Sequence, residues 1–231
     1  MIRSLSGTSL IEYPGKISSI VFISGCNLHC PFCHNPELVR PDLLDDQIKL
    51  THEDVLRELG DREGFIEAVS ITGGEPLLYS GIEELIRVIK DSTGLSVKID
   101  TNGTRPEELK RVLGNVDYVA MDLKSSPEKY FRATGERARF SDVSESVRII
   151  RELPAYEFRT TMVPGIVNRN DVLELLRETG KLRRYVLQTF HSQKTLSEDL
   201  TGRPAYPRRY LEDLAETITG MELADEVSIR L

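Results

Sequence analysis

A strand-like run followed by a helical pattern recurs six times along this chain, and that alternation leaves few folds open to it. Lys16 to Ser24 is rich in β-branched and aromatic residues and stops at Gly25. Thr51 then caps a helix carrying Val55, Leu56 and Leu59, and Ala68 to Ile71 is strand-like up to Thr72-Gly73-Gly74. Ile82, Leu85, Ile86 and Ile89 recur at helical spacing before Gly94, and Leu95 to Ile99 is the next strand. Pro106 opens a helix that closes at Gly114, ahead of the strand Tyr118 to Met121. A helix around Val143, Val147 and Ile150 precedes the strand Phe158 to Val163, and one over Asp171 to Thr179 precedes the strand Arg184 to Thr189. Pro207 opens a last helix with Leu211, Leu214 and Ile218, and Val227 to Leu231 adds a closing strand. Successive strands joined by helical crossovers imply a parallel α/β sheet, whose ligands gather at the carboxyl ends of the strands. Periodicity leaves a curved partial barrel and a flat doubly wound sheet equally open.

The chain has three cysteines, and all fall within the run Cys26-Asn27-Leu28-His29-Cys30-Pro31-Phe32-Cys33 directly after the first of these strands. None is left over for a structural disulfide, so chemistry rather than cross-linking explains them. Three thiolates in one short loop suit a soft metal centre: zinc, copper(I) or an iron–sulfur cluster. With three ligands, a four-iron cluster keeps one iron without a cysteine, an open position of the kind a catalytic site needs. The competing reading is a structural zinc knot completed by His29 or His34. Plain packing of buried thiols is a third, made improbable by the polar loop around them.

The spacing Cys-x3-Cys-x2-Cys, with Phe32 ahead of the third cysteine, resembles the signature of the radical S-adenosylmethionine (SAM) superfamily. The extension Cys33-His34-Asn35-Pro36 resembles its glycyl-radical-enzyme activating branch. Thr8-Ser9-Leu10-Ile11-Glu12-Tyr13-Pro14-Gly15 through His34-Asn35-Pro36-Glu37 is most similar to activases of anaerobic ribonucleoside-triphosphate reductase, and other fragments to pyruvate formate-lyase activating enzyme. The resemblance spans essentially the whole chain. It implies a single radical SAM domain over residues 1–231, built as a partial (βα)6 TIM-like barrel of parallel strands. It also implies that Cys26, Cys30 and Cys33 ligate one [4Fe-4S] cluster.

The same resemblance assigns roles to the clusters that follow the strands. Thr72-Gly73-Gly74-Glu75-Pro76 is similar to a motif whose backbone holds the methionine amino group, with Glu75 fixing the loop; by itself Gly-Gly reads as an ordinary turn. Asp100 and Asn102, in Asp100-Thr101-Asn102-Gly103, and Asp122 are placed at ribose hydroxyls, and Lys124 at the methionine carboxylate. Asn-Gly and Asp are equally common turn residues. In the resembled family two such aspartates also hold a monovalent cation, which makes Asp100 and Asp122 its expected ligands. Arg159 and His191 fall at cofactor-contacting positions, although a lone Arg or His more often has no ligand at all. Val163 and Pro164 are expected to flank the adenine, with Phe32 and His34 facing it from the cysteine loop. No side chain is expected to act as a general acid or base, because cluster and SAM carry the chemistry.

A net charge of −7 argues against nucleic-acid binding by bulk electrostatics. The 39% hydrophobic content of the 231 residues suffices for one sizeable domain or two small ones. No run is long enough to span a bilayer and the first residues resemble no leader, so a cytoplasmic protein with no membrane partner is expected. The implied partners are a glycyl-radical enzyme as protein substrate and a low-potential electron donor such as flavodoxin or ferredoxin. The segments Ser125 to Phe140 and Ser192 to Arg209 read as long irregular loops rich in Lys and Arg, candidates for docking that substrate or, equally, solvated charged faces.

Overall fold

The computed structural model describes residues 1–40 and 49–231. Among them are eight strands: β1 (Ile2–Tyr13), β2 (Lys16–Ile23), β3 (Ala68–Gly73), β4 (Ser96–Thr101), β5 (Tyr118–Asp122), β6 (Tyr156–Met162), β7 (Leu182–Thr189) and β8 (Ala224–Arg230). The helices are α1 (Pro36–Val39), α2 (His52–Gly60), α3 (Ile82–Thr93), α4 (Pro106–Val112), α5 (Pro127–Ala133), α6 (Phe140–Arg151), α7 (Arg169–Thr179) and α8 (Arg208–Gly220).

The chain divides into two units: Met1–Asn27, Glu37–Thr101 and Glu107–Ala120 in the first, and Leu28–Pro36, Asn102–Pro106 and Met121–Leu231 in the second. Within the first unit the strand order is β1-β2-β3-β4-β5, within the second β5-β6-β7-β8, with β5 contributing residues to both. The β2–β3, β3–β4, β6–β7 and β7–β8 pairs are parallel. The expected parallel α/β class therefore holds. Strands that follow one another in chain order have the topology of a β/α barrel wall; a doubly wound sheet would reverse direction at a switch point.

Each expected strand is present, and β1 is an addition. It pairs antiparallel with β2 along the edge of the first unit. Its run of Ser, Gly and Thr hides it from a propensity reading. α5 corrects a second expectation, since it sits inside Ser125 to Phe140, a stretch read as irregular. Its start was available in the sequence: Ser126 precedes Pro127 at the first helical position. Seven residues, under two turns, leave too little periodicity to announce the rest. Ser192 to Arg209 does run without a long element, apart from a 3-10 turn at Glu198–Leu200 and the first residues of α8.

The helices form for local reasons and stay for tertiary ones. Thr51 and Asp54 close a capping box at α2, a device worth about 1 kcal/mol. α3 buries Ile82, Leu85, Ile86 and Ile89 on one stripe, each contributing about 1.5–3 kcal/mol by leaving water. Along β3 and β4 the side chains alternate between two buried environments. Val69, Ile71, Val97 and Ile99 lie on one face, whereas Ser70 and Lys98, paired in register, lie on the other with Thr72 and Asp100. That second face is polar although it is buried. No helix of the described residues is long and apolar enough to cross a membrane.

Candidate active site

In the first unit the cysteine loop begins where β2 ends, and its first turn is held from both sides. Gly25, with φ +97°, donates its N–H to the Leu38 carbonyl (2.8 Å) and accepts the Glu75 N–H on its own carbonyl (2.8 Å). Gly74 donates to the Ile23 carbonyl at 2.9 Å. Cys26 thus follows a residue whose backbone is fixed. A Cβ on Gly73 would strike the backbone of Ile23, and one on Gly74 would strike the Gly25 carbonyl. The two glycines are needed for this close approach of two backbones, a reason the sequence did not disclose. The amide hydrogens of Gly74 and Glu75 are spent on β2 and Gly25, so any polar ligand of this turn meets carbonyl oxygens.

Glu75 is fully buried and fixes its own loop. Its carboxylate accepts the Leu77 N–H (3.1 Å) and the Thr101 hydroxyl (2.9 Å). Those bonds tie the turn after β3 to the end of β4. Asp100, on β4, accepts the Thr72 hydroxyl at 3.0 Å on one oxygen, while the other is ion-paired with the Lys98 ammonium. Lys98 is 1% exposed. A lone Lys in a strand reads as solvated, and only the structure shows that both faces of this strand are covered.

In the second unit Cys30 and Cys33 share a turn, with the Cys33 N–H donating to the Cys30 carbonyl at 3.0 Å. The Leu196 and Ser197 amides donate to the carbonyls of Cys33 (3.0 Å) and Pro31 (2.9 Å), and the His29 amide donates to the Thr134 carbonyl (3.1 Å). Gly135, just after α5, lies so close to His29 that a Cβ would strike its carbonyl. Residues of both long segments therefore hold the cysteine loop, a role that compositional reading of their charges did not suggest. Phe32 is buried and His34 exposed.

Asp122 and Lys124 leave β5, and Arg159 comes from β6. Arg159 donates from Nε to Asp122 Oδ1 (2.7 Å), and Lys124 donates from Nζ to Asp122 Oδ2 (3.0 Å). Burial alone would raise the Asp122 pKa; Arg159 and then Lys124 outweigh it and hold the carboxyl well below the usual carboxylate range. Burial likewise opposes the Lys124 charge, and Asp122 overcomes it, lifting that ammonium above the ordinary lysine value. Behind Arg159 stands Glu157, 2% exposed, within 3.9 Å of its guanidinium and 3.3 Å of Arg230. The alternating series Lys124, Asp122, Arg159, Glu157, Arg230 carries one net positive charge.

The remaining expected residues are placed as follows. Asn102 accepts the amide (3.0 Å) and hydroxyl (2.6 Å) of Thr104 on its side-chain oxygen, an Asx turn. Val163 is buried and its carbonyl accepts the Ile166 and Val167 amides, while Arg203 donates to the Pro164 carbonyl at 3.0 Å. His191 is exposed beyond the end of β7. None of the three cysteines is in a disulfide. Among the described residues no three His, Cys, Asp or Glu side chains gather closely enough to hold a single metal ion.

A family model described as the radical SAM superfamily matches residues 20–179. Over its full length the chain is 29% identical to 95% of a Methanocaldococcus jannaschii protein provisionally named a glycyl-radical enzyme activating enzyme. It is 32% identical to the pyruvate formate-lyase-activating enzyme of Clostridium pasteurianum, over 64% of this chain and 63% of that one. The fold is shared with Streptococcus suis SuiB bound to its precursor peptide SuiA, at a TM-score of 0.64 and 18% identity, over 90% of this chain and 47% of SuiB, about half its length.

Proposed function

The chain belongs to the radical SAM superfamily, and from that membership we propose that it activates a glycyl-radical enzyme, with an anaerobic ribonucleoside-triphosphate reductase as its protein substrate. The donor set fits the cofactor the family implies. Three thiols stand in one loop, none in a disulfide, and backbone hydrogen bonds hold the loop at Gly25 and at His29, Pro31 and Cys33. When bound, the cluster and SAM would supply reductive cleavage chemistry, taking one electron from a donor and releasing methionine, to remove a hydrogen atom from a glycine Cα of the partner.

This chain's own residues bind and orient. Cys26, Cys30 and Cys33 would hold the cluster. The carbonyls of the Gly73-Gly74 turn, with buried Glu75 beside them, suit the methionine ammonium. The excess positive charge that ends in Lys124 suits the methionine carboxylate. Asp100, Asn102 and Asp122 are assigned to the ribose, and Phe32, His34, Pro76, Arg159, Val163 and His191 to further cofactor contacts. No proton need be moved by a side chain, and a flavodoxin or ferredoxin supplies the electron in the cytoplasm.

The observation that carries the chemistry is the Glu75-to-Gly25 hydrogen bond, which links the expected SAM-binding turn to the first cysteine's anchor. The full-length likeness to the provisionally named activating enzyme supports the class of partner. The test is anaerobic incubation of the reconstituted chain with reductant, SAM and the reductase, read by electron paramagnetic resonance. A glycyl radical on the reductase, with deuterium from its glycine Cα recovered in 5′-deoxyadenosine, is expected. Deuterium arriving only from a small metabolite would overturn the partner assignment, and loss of neither cluster nor SAM cleavage in Cys30→Ala would overturn the chemistry.

A further inference from the structure

A monovalent cation shared by Asp100 and Asp122 does not fit what this chain places at those carboxylates. A potassium or sodium ion needs carboxylates whose negative charge is not already neutralised, whereas a neutral ribose hydroxyl needs only a remaining lone pair. At Asp100 one oxygen accepts the Thr72 hydroxyl and the other is ion-paired with Lys98. At Asp122 both oxygens are engaged, by Arg159 and Lys124. Each carboxylate already has a protein cation within its own unit.

Lys98 is the unusual member. Burying an ammonium to 1% exposure is costly unless a carboxylate pairs with it, and the strand neighbours Val97 and Ile99 are apolar. Its strand register sets it beside Ser70, whose buried hydroxyl makes no hydrogen bond among the described residues, so Asp100, two residues further along the same face, is the ion pair it makes there. Asp100 stands at the carboxyl end of β4, where ligands of such folds bind.

We propose that Lys98 is a built-in counter-ion for Asp100, a tethered ammonium in place of a free monovalent cation, so that SAM binding by this chain is indifferent to which alkali cation is present. Lys98 is then a positioning residue: its charge keeps Asp100 oriented without an ion from solution. The proposal rests on the SAM-binding reading above. It adds that the electrostatic requirement at Asp100 is met covalently.

The reconstituted enzyme is to be studied anaerobically in sodium, potassium or choline chloride at a constant ionic strength of about 0.15 M, so that general screening does not vary. SAM affinity and melting temperature are both measured. For the wild type we expect a dissociation constant that shifts by less than about twofold among the three salts and a melting temperature that does not follow the cation. Lys98→Ala, which opens space at Asp100, should lose about tenfold in affinity in choline and regain most of it in sodium or potassium, with its melting temperature rising in parallel. Lys98→Met fills the space and should regain nothing. A wild type that weakens about tenfold in choline overturns the proposal. So does a Lys98→Ala protein that binds normally in choline, or equally poorly in every salt. Should Lys98→Ala fail to fold, the wild-type series decides alone. Should no form bind SAM, the functional reading fails while the melting series still tests Lys98.

Discussion

Two Asp–Lys pairs of the same spacing and opposite order mark the ends of neighbouring strands in the chain: Lys98-Ile99-Asp100 in β4 and Asp122-Leu123-Lys124 at the exit of β5. In the first, the lysine precedes the aspartate, so its side chain lies within the strand and is closed off at 1% exposure. In the second it follows the aspartate past the strand's last residue, and its side chain is 17% exposed. Asp122 also has Arg159, so Lys124 is a second cation on a carboxylate that already has one. The order of two residues decides whether an ammonium is locked into the fold or offered at the end where ligands bind.

The comparison makes its largest demand on stability. Lys98→Met should cost about 3–5 kcal/mol in urea unfolding, because it strands a buried carboxylate, whereas Lys124→Met should cost under about 1 kcal/mol, since Asp122 keeps Arg159. Equal losses at the two sites would break the distinction. Lys124→Ala should instead weaken SAM binding by roughly 1.5–3 kcal/mol, the range for a charge-assisted hydrogen bond, as measured by titration of the reconstituted protein. Unchanged affinity with a lowered melting temperature would make Lys124 as structural as Lys98.

Glu75→Gln tests the first unit further. It keeps an acceptor for Thr101 and Leu77 but removes the charge, so a stability loss of about 1 kcal/mol is expected by chemical denaturation. The smallest effect lies outside both pairs. Asp54, in the capping box of α2, has its pKa lowered to about 2 by hydrogen bonds from the Thr51 backbone and hydroxyl and from Arg57. A depressed carboxyl stabilises the fold above its unfolded value, about 4, and that contribution fades as the pH falls toward 2. Asp54→Asn should therefore flatten that part of an acid denaturation series while leaving SAM affinity unchanged at neutral pH.

Much of this was legible in the chain as written. Runs rich in β-branched, aromatic and other apolar residues marked β2 to β7, and the apolar stripe of α3 was readable to within a residue of its bounds. The three cysteines and Gly73-Gly74 stood out by composition alone. β1 was hidden by its hydroxyl-rich sequence, and α5 by its length. Within the candidate site, Lys98, Glu157 and Arg230 were invisible because a charged residue in a strand reads as solvent-facing until both faces are known to be covered. Thr134, Leu196 and Ser197 contribute to the cysteine loop through backbone groups, which every residue type carries, so no side chain announced them.

By itself the sequence determined the alternation of strand and helix, the three-thiol donor set and the position of a glycine pair just after a strand, since each depends on residues within a few positions of one another. Only the tertiary structure decided which charges are paired. Arg230 meets Glu157 across 73 residues, and Arg159 meets Asp122 across 37. Such pairings follow from strand register, and a shift of one residue would turn each side chain to the opposite face. The spacing of Lys98 and Asp100 was in the sequence from the start. That the ammonium is buried, and so a counter-ion rather than a surface charge, is a property of the packed sheet.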